Sequence, residues 1–287
     1  MVASGPGALT YDGLDAEALR RLAGAARLEL RGSVGSVLDV AHELAAAGAP
    51  SGLLVLADEQ TAGRGRQGRV WHSPPGAGLW VAALLRPAVR PFSGALAIRA
   101  GLAAVEAVEQ VAPGARPRLK WPNDVIVAGR KAGGVLCEAR WAGAQQGWIA
   151  VGVGINVRGP VAPAVRATAV ALDDAAGARG GSALAGGPEG SASPEARGRD
   201  GVTRTALLAA LAPRLVALAE RPPELDDGER EAFRRRQYLA ALDGADDEDD
   251  GGAAREGGLP VSLGVDGDGA LLLARPDGVL DRRVIPV

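Results

Sequence analysis

The chain has 287 residues, 32 of them Lys or Arg and 34 Asp or Glu, giving a formal net charge of −2 and a pI near 5.8. With 47% hydrophobic and 23% charged residues, it has the composition of a globular protein with a substantial core, long enough for one large domain plus a small one. The near-neutral balance argues against a dedicated nucleic-acid binder, and one cysteine with two histidines excludes both an internal disulfide framework and a His/Cys metal cluster.

Residues 1–31 read as a weakly patterned N-terminal extension. A short helix is expected over Ala16 to Leu30, with Leu19, Leu22, Ala23 and Ala26 on one face. No signal-peptide pattern opens the sequence and no apolar run approaches the length of a bilayer span. A cytoplasmic protein without a membrane partner is therefore expected. Ser36 to Gly48 predicts a helix capped by Ser36, with Asp39 at the reciprocal capping-box position and Val40, Ala41, Leu44 and Ala45 as its apolar stripe. His42, beside that stripe, reads as a surface residue.

A strand follows at Leu53 to Asp58, then a segment unlike the rest: Gln60-Thr61-Ala62-Gly63-Arg64-Gly65-Arg66-Gln67-Gly68-Arg69-Val70-Trp71. Glycine tolerates the backbone angles that turn N–H groups towards a ligand, and arginine brings a planar, permanent charge suited to carboxylate and phosphate oxygens. The segment is too basic for a core element and too glycine-rich for a stable helix. It reads as a loop that closes over something small and negative. Asp58 and Glu59 balance its charge.

Leu79 to Leu85 is strand-like, and Ser93 to Val111 is a longer amphipathic helix. Arg118 to Trp121 is extended and is stopped by Pro122, which presents Lys120-Trp121-Pro122-Asn123-Asp124 at a strand end. Val125 to Val127 and Lys131 to Glu138 read as a hairpin around Ala128-Gly129-Arg130, and Trp148 to Val153 as a further strand leading into Gly152-Val153-Gly154-Ile155-Asn156. Cys137 reads as a small buried hydrophobe.

Gly177 to Gly201 is rich in Gly, Ala, Ser and Pro and is expected to be a flexible insertion. Helical pattern returns at Thr203 to Glu220 and Glu229 to Leu242. Asp246 to Gly252 reads as a solvated acidic loop. Short strands at Val261 to Val265, Ala270 to Arg275 and Val279 to Val287 suit a small β-barrel. The mixture predicts an α+β protein: a catalytic-sized domain over 32–240 with a mixed sheet and flanking helices, and a small β domain over 241–287.

Four segments taken in order resemble the biotin protein ligases: Gly-Arg-Gly-Arg-x-Gly-Arg-x-Trp at 63–71, Lys-Trp-Pro-Asn-Asp at 120–124, Arg-Lys-x-x-Gly at 130–134 and Gly-x-Gly-x-Asn at 152–156. The likeness is close over Ser33 to Val157 and looser over the C-terminal β region. It implies a class II synthetase-like, biotin–lipoate ligase catalytic fold with a small C-terminal SH3-like barrel. It also implies ATP-dependent activation of biotin to biotinyl-5′-AMP, followed by transfer to a lysine of a biotin carboxyl carrier domain. By that resemblance Lys131 is the key lysine, with Arg64 and Arg66 beside it in catalysis. Ser36, Val37, Leu38, Gln60, Arg64, Gly65 and Arg66 would meet biotin or its adenylate; Arg69, Trp71 and Asn156 would meet the nucleotide. Asp124 and Asn123 are candidate contacts for Mg²⁺.

The family usually carries Gly-Ser-Thr before the first helix. Here the matching positions are Gly35-Ser36-Val37-Leu38, so a hydroxyl is replaced by an isopropyl group. The N-terminal extension is shorter than a DNA-binding module needs, so a monofunctional ligase without specific DNA binding, monomeric or homodimeric, is expected. A lipoate–protein ligase and a nucleic-acid-binding module using the Gly-Arg loop are the competing readings. The loop is expected to be mobile when empty and ordered when filled.

Overall fold

The structure is a computed structural model and describes residues 9–88, 93–142, 145–175, 201–238, 261–274 and 279–284. The chain opens with α1 (Ala16–Leu22), β1 (Arg27–Val34), α2 (Val37–Ala46), β2 (Leu53–Gln60), β3 (Gly78–Leu85) and α3 (Ser93–Val111). The strands β4 (Arg118–Lys120), β5 (Asp124–Val127), β6 (Arg130–Ala142) and β7 (Gln145–Asn156) follow. Two helices, α4 (Arg204–Val216) and α5 (Asp227–Arg236), precede β8 (Val261–Val265), β9 (Leu271–Ala274) and β10 (Leu280–Arg283).

The first seven strands form one sheet in the order β1-β2-β3-β7-β6-β5-β4. Only β1 and β2 run parallel; the remaining pairs are antiparallel, so the sheet is mixed as expected. The last three strands make a separate antiparallel sheet, consistent with the small C-terminal β domain. Among the described residues, no helix is long and apolar enough to cross a membrane.

Alternation along the strands decides what each face meets. In β7, Val151, Val153 and Ile155 enter the larger core under α1, α3 and α4. On the same side lie Leu54 and Leu56 of β2, and Leu79, Val81, Ala83 and Leu85 of β3. The opposite face carries Leu53, Val55, Ala57, Trp80, Ala82 and Leu84, packed against Val37, Leu38, Ala41 and Ala45 of α2. Because α2 covers only part of that face, the stretch along β5, β6 and the end of β7 is left for the Gly-Arg loop.

Several sequence expectations need correction. The helix expected through Leu30 stops at Leu22, and Arg27–Val34 is a strand. Gly24 turns the chain with φ of 60°, and the alternation Leu28, Leu30 against Arg27, Glu29, Arg31 has period two rather than helical spacing. The capping box at α2 is absent: the Ser36 hydroxyl accepts from the Leu38 N–H, and the Asp39 carboxylate is used elsewhere. The buried stripe of α2 is Val37, Leu38, Ala41, His42 and Ala45, so His42 is 6% exposed and not a surface residue. The expected helix to Leu242 is α5, Asp227–Arg236, capped by a reciprocal Asp226–Glu229 pair. The helix ends at Arg236; the rest of the expected span beyond Tyr238, the insertion at 177–200 and the acidic loop at 246–252 lie outside the described residues.

Candidate active site

The open face is built on missing side chains. Gly152 and Gly154 point the same way as Asn156, by strand alternation. A Cβ at Gly152 would come within 3.0 Å of Leu38 Cγ, and one at Gly154 within 2.5 Å of Trp71 Nε1. The two glycines therefore serve as sockets: one seats the start of α2, the other the end of the Gly-Arg loop. Gly154 pairs with Trp80 on β3 and Gly134 on β6, and Trp71 meets Trp80 edge-on with ring centroids 6.5 Å apart. The indole Nε1 of Trp71 is buried without a hydrogen-bond partner.

The loop itself is a closed excursion. Gly65 N–H donates to Arg69 O at 2.7 Å, Trp71 N–H to Gly63 O at 2.8 Å, and Arg66–Gly68 forms a single 3-10 turn with Gln67 at φ 56°. A Cβ at Gly63 would lie 2.4 Å from Trp71 O, so only glycine allows the two limbs to approach. At its base, Gln60 ties three elements together. Its Oε1 accepts from the Val37 N–H at 3.0 Å and from Ser36 Oγ at 3.4 Å, and its Nε2 donates to Ser73 Oγ at 2.8 Å. Ser36, Val37 and Leu38 are buried here.

The three arginines occupy different environments. Arg64 forks between two carboxylates: Nη1 and Nη2 donate to Asp39 at 3.1 and 2.8 Å, and Nε and Nη2 to Glu138 at 2.8 and 2.9 Å. Those bonds raise its proton affinity above the ordinary arginine value. Arg66 is half-buried and, among the described residues, makes no side-chain hydrogen bond or ion pair. Burial lowers its proton affinity, Asp124 acts in the opposite sense and Arg69 reinforces the lowering. Arg69 is exposed and donates to Gln67 Oε1 at 3.2 Å.

Lys131 stands at the start of β6, where its backbone also bridges Ala169. Its Nζ is 2.7 Å from Asp124 Oδ1 and 5.3 Å from the centroid of the Trp71 ring. Lys131, Asp124 and Trp71 thus form one group, although up to sixty positions separate them in sequence. Asn123 is engaged with its own hairpin: Nδ2 donates to Val135 O at 2.6 Å, leaving Oδ1 as its ligand atom. Asn156 Nδ2 reaches Val170 O at 3.4 Å, and the residue pairs with Gly78.

Sequence reasoning missed Asp39, Glu138 and His42. Nothing local marks them, because their roles come from side chains of α2, β6 and the loop that meet only in the fold. The Glu138 carboxyl is held down to about 2 by hydrogen bonds from His42 and Arg64. Burial pushes the Cys137 thiol up to about 12, which suits an inert small hydrophobe.

Comparison with known proteins agrees with this arrangement. Residues 34–156 match the biotin/lipoate A/B protein ligase family. The bifunctional ligase/repressor BirA of Bacillus subtilis is 44% identical over 124 residues, covering 42% of this chain and 38% of that protein. The biotin–[acetyl-CoA-carboxylase] ligase of Paracoccus denitrificans is 43% identical over 111 residues, covering 37% of this chain and 44% of that protein. The chain thus spans about two fifths of the length of the curated relatives it matches. In fold, it is similar to the biotin protein ligase of Aquifex aeolicus in complex with biotin and ATP, with a TM-score of 0.62 and 22% identity over 91% of this chain and 96% of that one. The Leishmania major biotin protein ligase in complex with biotin gives a TM-score of 0.59 at 22% identity, over 91% and 99% of the two chains. Over residues 34–156, then, this chain is similar to the biotin/lipoate A/B protein ligase family.

Proposed function

We propose that the protein is a biotin–protein ligase of the cytoplasm. In the first half-reaction the carboxylate of biotin attacks the α-phosphate of ATP, forming biotinyl-5′-AMP and releasing pyrophosphate. In the second, the ε-amine of a lysine on a biotin carboxyl carrier domain attacks the mixed anhydride, forming an amide and releasing AMP. The observation that carries this reading is the meeting of Lys131 and Trp71 over the Gly154 socket, beside Asp124.

The chemistry asks for fixed positive charge where two anions meet. Lys131 is a compact point charge whose direction is set by Asp124 at 2.7 Å. Arg66 is a half-buried cation that makes no ion pair among the described residues, and so is disposed to take an anionic ligand. A donor of this kind is worth about 3 kcal/mol in the transition state. Val37, Leu38, Gln60 and Ser36 form the pocket edge for biotin; Trp71, Arg69 and Asn156 line the nucleotide side. Closing Gly65 to Val70 over the adenylate would exclude water that hydrolyses the anhydride.

Mg²⁺ fits only in a limited way. No group of three His, Cys, Asp or Glu residues that could hold a metal occurs among the described residues. Asp124 and the free oxygen of Asn123 supply two ligands at most, which suits an ion held mainly by phosphate oxygens and water. Bound there, it would neutralise phosphate charge.

Arg64 disfavours a nucleic-acid role for the loop, because Asp39 and Glu138 already neutralise it. The test is pyrophosphate release from ATP with biotin or with lipoate. Release with biotin is expected, and Lys131→Ala should lower it about a hundredfold or more. Lys131→Arg should not restore it, since a planar fork cannot replace a point charge beside Asp124. Release with lipoate alone would reassign the substrate.

A further inference from the structure

Arg64 and Arg66 are two residues apart yet differently engaged, and the difference has a traceable origin. Behind Arg64, Glu138 Oε2 also lies 3.1 Å from His42 Nε2. Behind His42, Trp148 Nε1 lies 2.9 Å from His42 Nδ1. An indole N–H only donates, so Nδ1 is the accepting nitrogen and the proton of the neutral ring sits on Nε2, directed at Glu138. Trp148 is itself backed by Arg86, whose guanidinium lies 5.5 Å from its ring and donates to Ala49 O at 3.0 Å and Ala45 O at 2.6 Å at the end of α2. The chain of contacts Trp148–His42–Glu138–Arg64 runs from β7 through α2 and β6 to the loop.

A buried imidazole on an apolar helix face costs desolvation that leucine would avoid. We propose that His42 is a positioning residue: through Glu138 it pins Arg64, fixing the first limb of the Gly-Arg loop and leaving Arg66 as the cation that meets the ligand. The catalytic part of this inference rests on the ligase reading; the mechanical part does not.

Trypsin separates the two, because the loop offers its own cleavage sites after Arg64 and Arg66. The variants are His42→Leu, His42→Gln and Glu138→Gln, digested under native conditions with sites identified by mass spectrometry. Glutamine at 42 retains a donor for Glu138 and an acceptor for Trp148. Glutamine at 138 turns one of two acceptor atoms into a donor facing donors. Loop cleavage should rise about tenfold in His42→Leu and Glu138→Gln, tracking a larger open population, and stay within about twofold of wild type in His42→Gln. Wild-type loop cleavage in Glu138→Gln overturns the proposal, as does His42→Gln cleaving as fast as His42→Leu, or a parallel rise at every site in the chain. Should His42→Leu fail to fold, Glu138→Gln decides. In the pyrophosphate assay, KM for biotin should rise about tenfold in Glu138→Gln with kcat within about threefold of wild type, the signature of lost binding rather than lost chemistry. An unchanged KM with lowered kcat overturns the positioning role. A wild type that releases no pyrophosphate with biotin sinks the ligase reading and leaves the cleavage rates to judge His42.

Discussion

Val37 and Gly154 are two positions where a single atom group governs the site. Val37 is 3% exposed, and its N–H is held by Gln60, so a hydroxyl placed there would lie at the pocket edge. Val37→Thr should lower the KM for biotin about fivefold if that hydroxyl reaches a polar ligand atom, worth about 1 kcal/mol. The same change should lower the melting temperature of the empty protein, because a buried hydroxyl without ligand stays unpaired. An unchanged KM would show that position 37 does not face the biotin ring. Gly154→Ala forces a carbon to within 2.5 Å of Trp71 Nε1, an atom of a rigid ring held against Trp80. The indole must leave its socket. Expected is a loss of nucleotide-dependent activity of tenfold or more, about 1.4 kcal/mol, with a blue-to-red shift in tryptophan emission as Trp71 becomes wetter. Wild-type kinetics in that variant would mean the seat is not used.

At the level of elements, the Gly-Arg segment is a loop with one fastened limb and one freer limb. Amide hydrogen exchange should show Gly65 and Trp71, whose N–H groups are bonded within the loop, slower than Gln67 and Val70 in the empty protein. Biotin with ATP should then slow Gln67 to Val70 most. Equal protection with and without ligand would count against closure. Much of this was legible in the sequence, for a physical reason. Continuous apolar runs at Leu53 to Ala57 and Leu79 to Leu85, and the turn residues at Ala128-Gly129, are local signals, and they placed β2, β3 and the β5–β6 hairpin. Lys131, Trp71 and Arg66 were singled out by the motifs that carry the family resemblance, and the fold brings Lys131 and Trp71 within 5.3 Å of each other. What stayed hidden was pairing at a distance. Asp39 was assigned to its own helix cap but serves Arg64 twenty-five residues away. His42 looked peripheral because the helix stripe was read one step round from the face that packs on β2, β3 and β7. The socket function of Gly152 and Gly154 was equally invisible, since the side chains that fill them come from α2 and the loop.

Across the whole molecule, acid should weaken the fold through carboxylates that the native state keeps ionised. Glu138 falls from 4.5 to about 2, and Asp12 is also lowered: burial opposes its ionisation, but hydrogen bonds from Arg204 and Arg158 outweigh that burial. A depressed carboxyl gives stability that is fully present above its unfolded value and is lost as pH falls through its folded value. Denaturant midpoints should therefore fall steadily between about pH 5 and pH 2, and Glu138→Gln should flatten part of that slope. A variant as acid-sensitive as wild type would show that Glu138 does not carry its share. Arg204 belongs to the same account: it is almost wholly buried, bonds to Asp12 and Asp58, and stacks 3.9 Å from the Tyr11 ring. It joins the N-terminal segment to the strand that feeds the Gly-Arg loop.

Trp121 has a corollary of its own. Its indole N–H donates to Gly269 O at 3.0 Å, so the strand end bearing Asp124 shares a tether with the tail of the chain. A protein seated on the β8–β9 connection would thus stand one hydrogen bond away from the turn that leads into Asp124, the partner of the Lys131 ammonium.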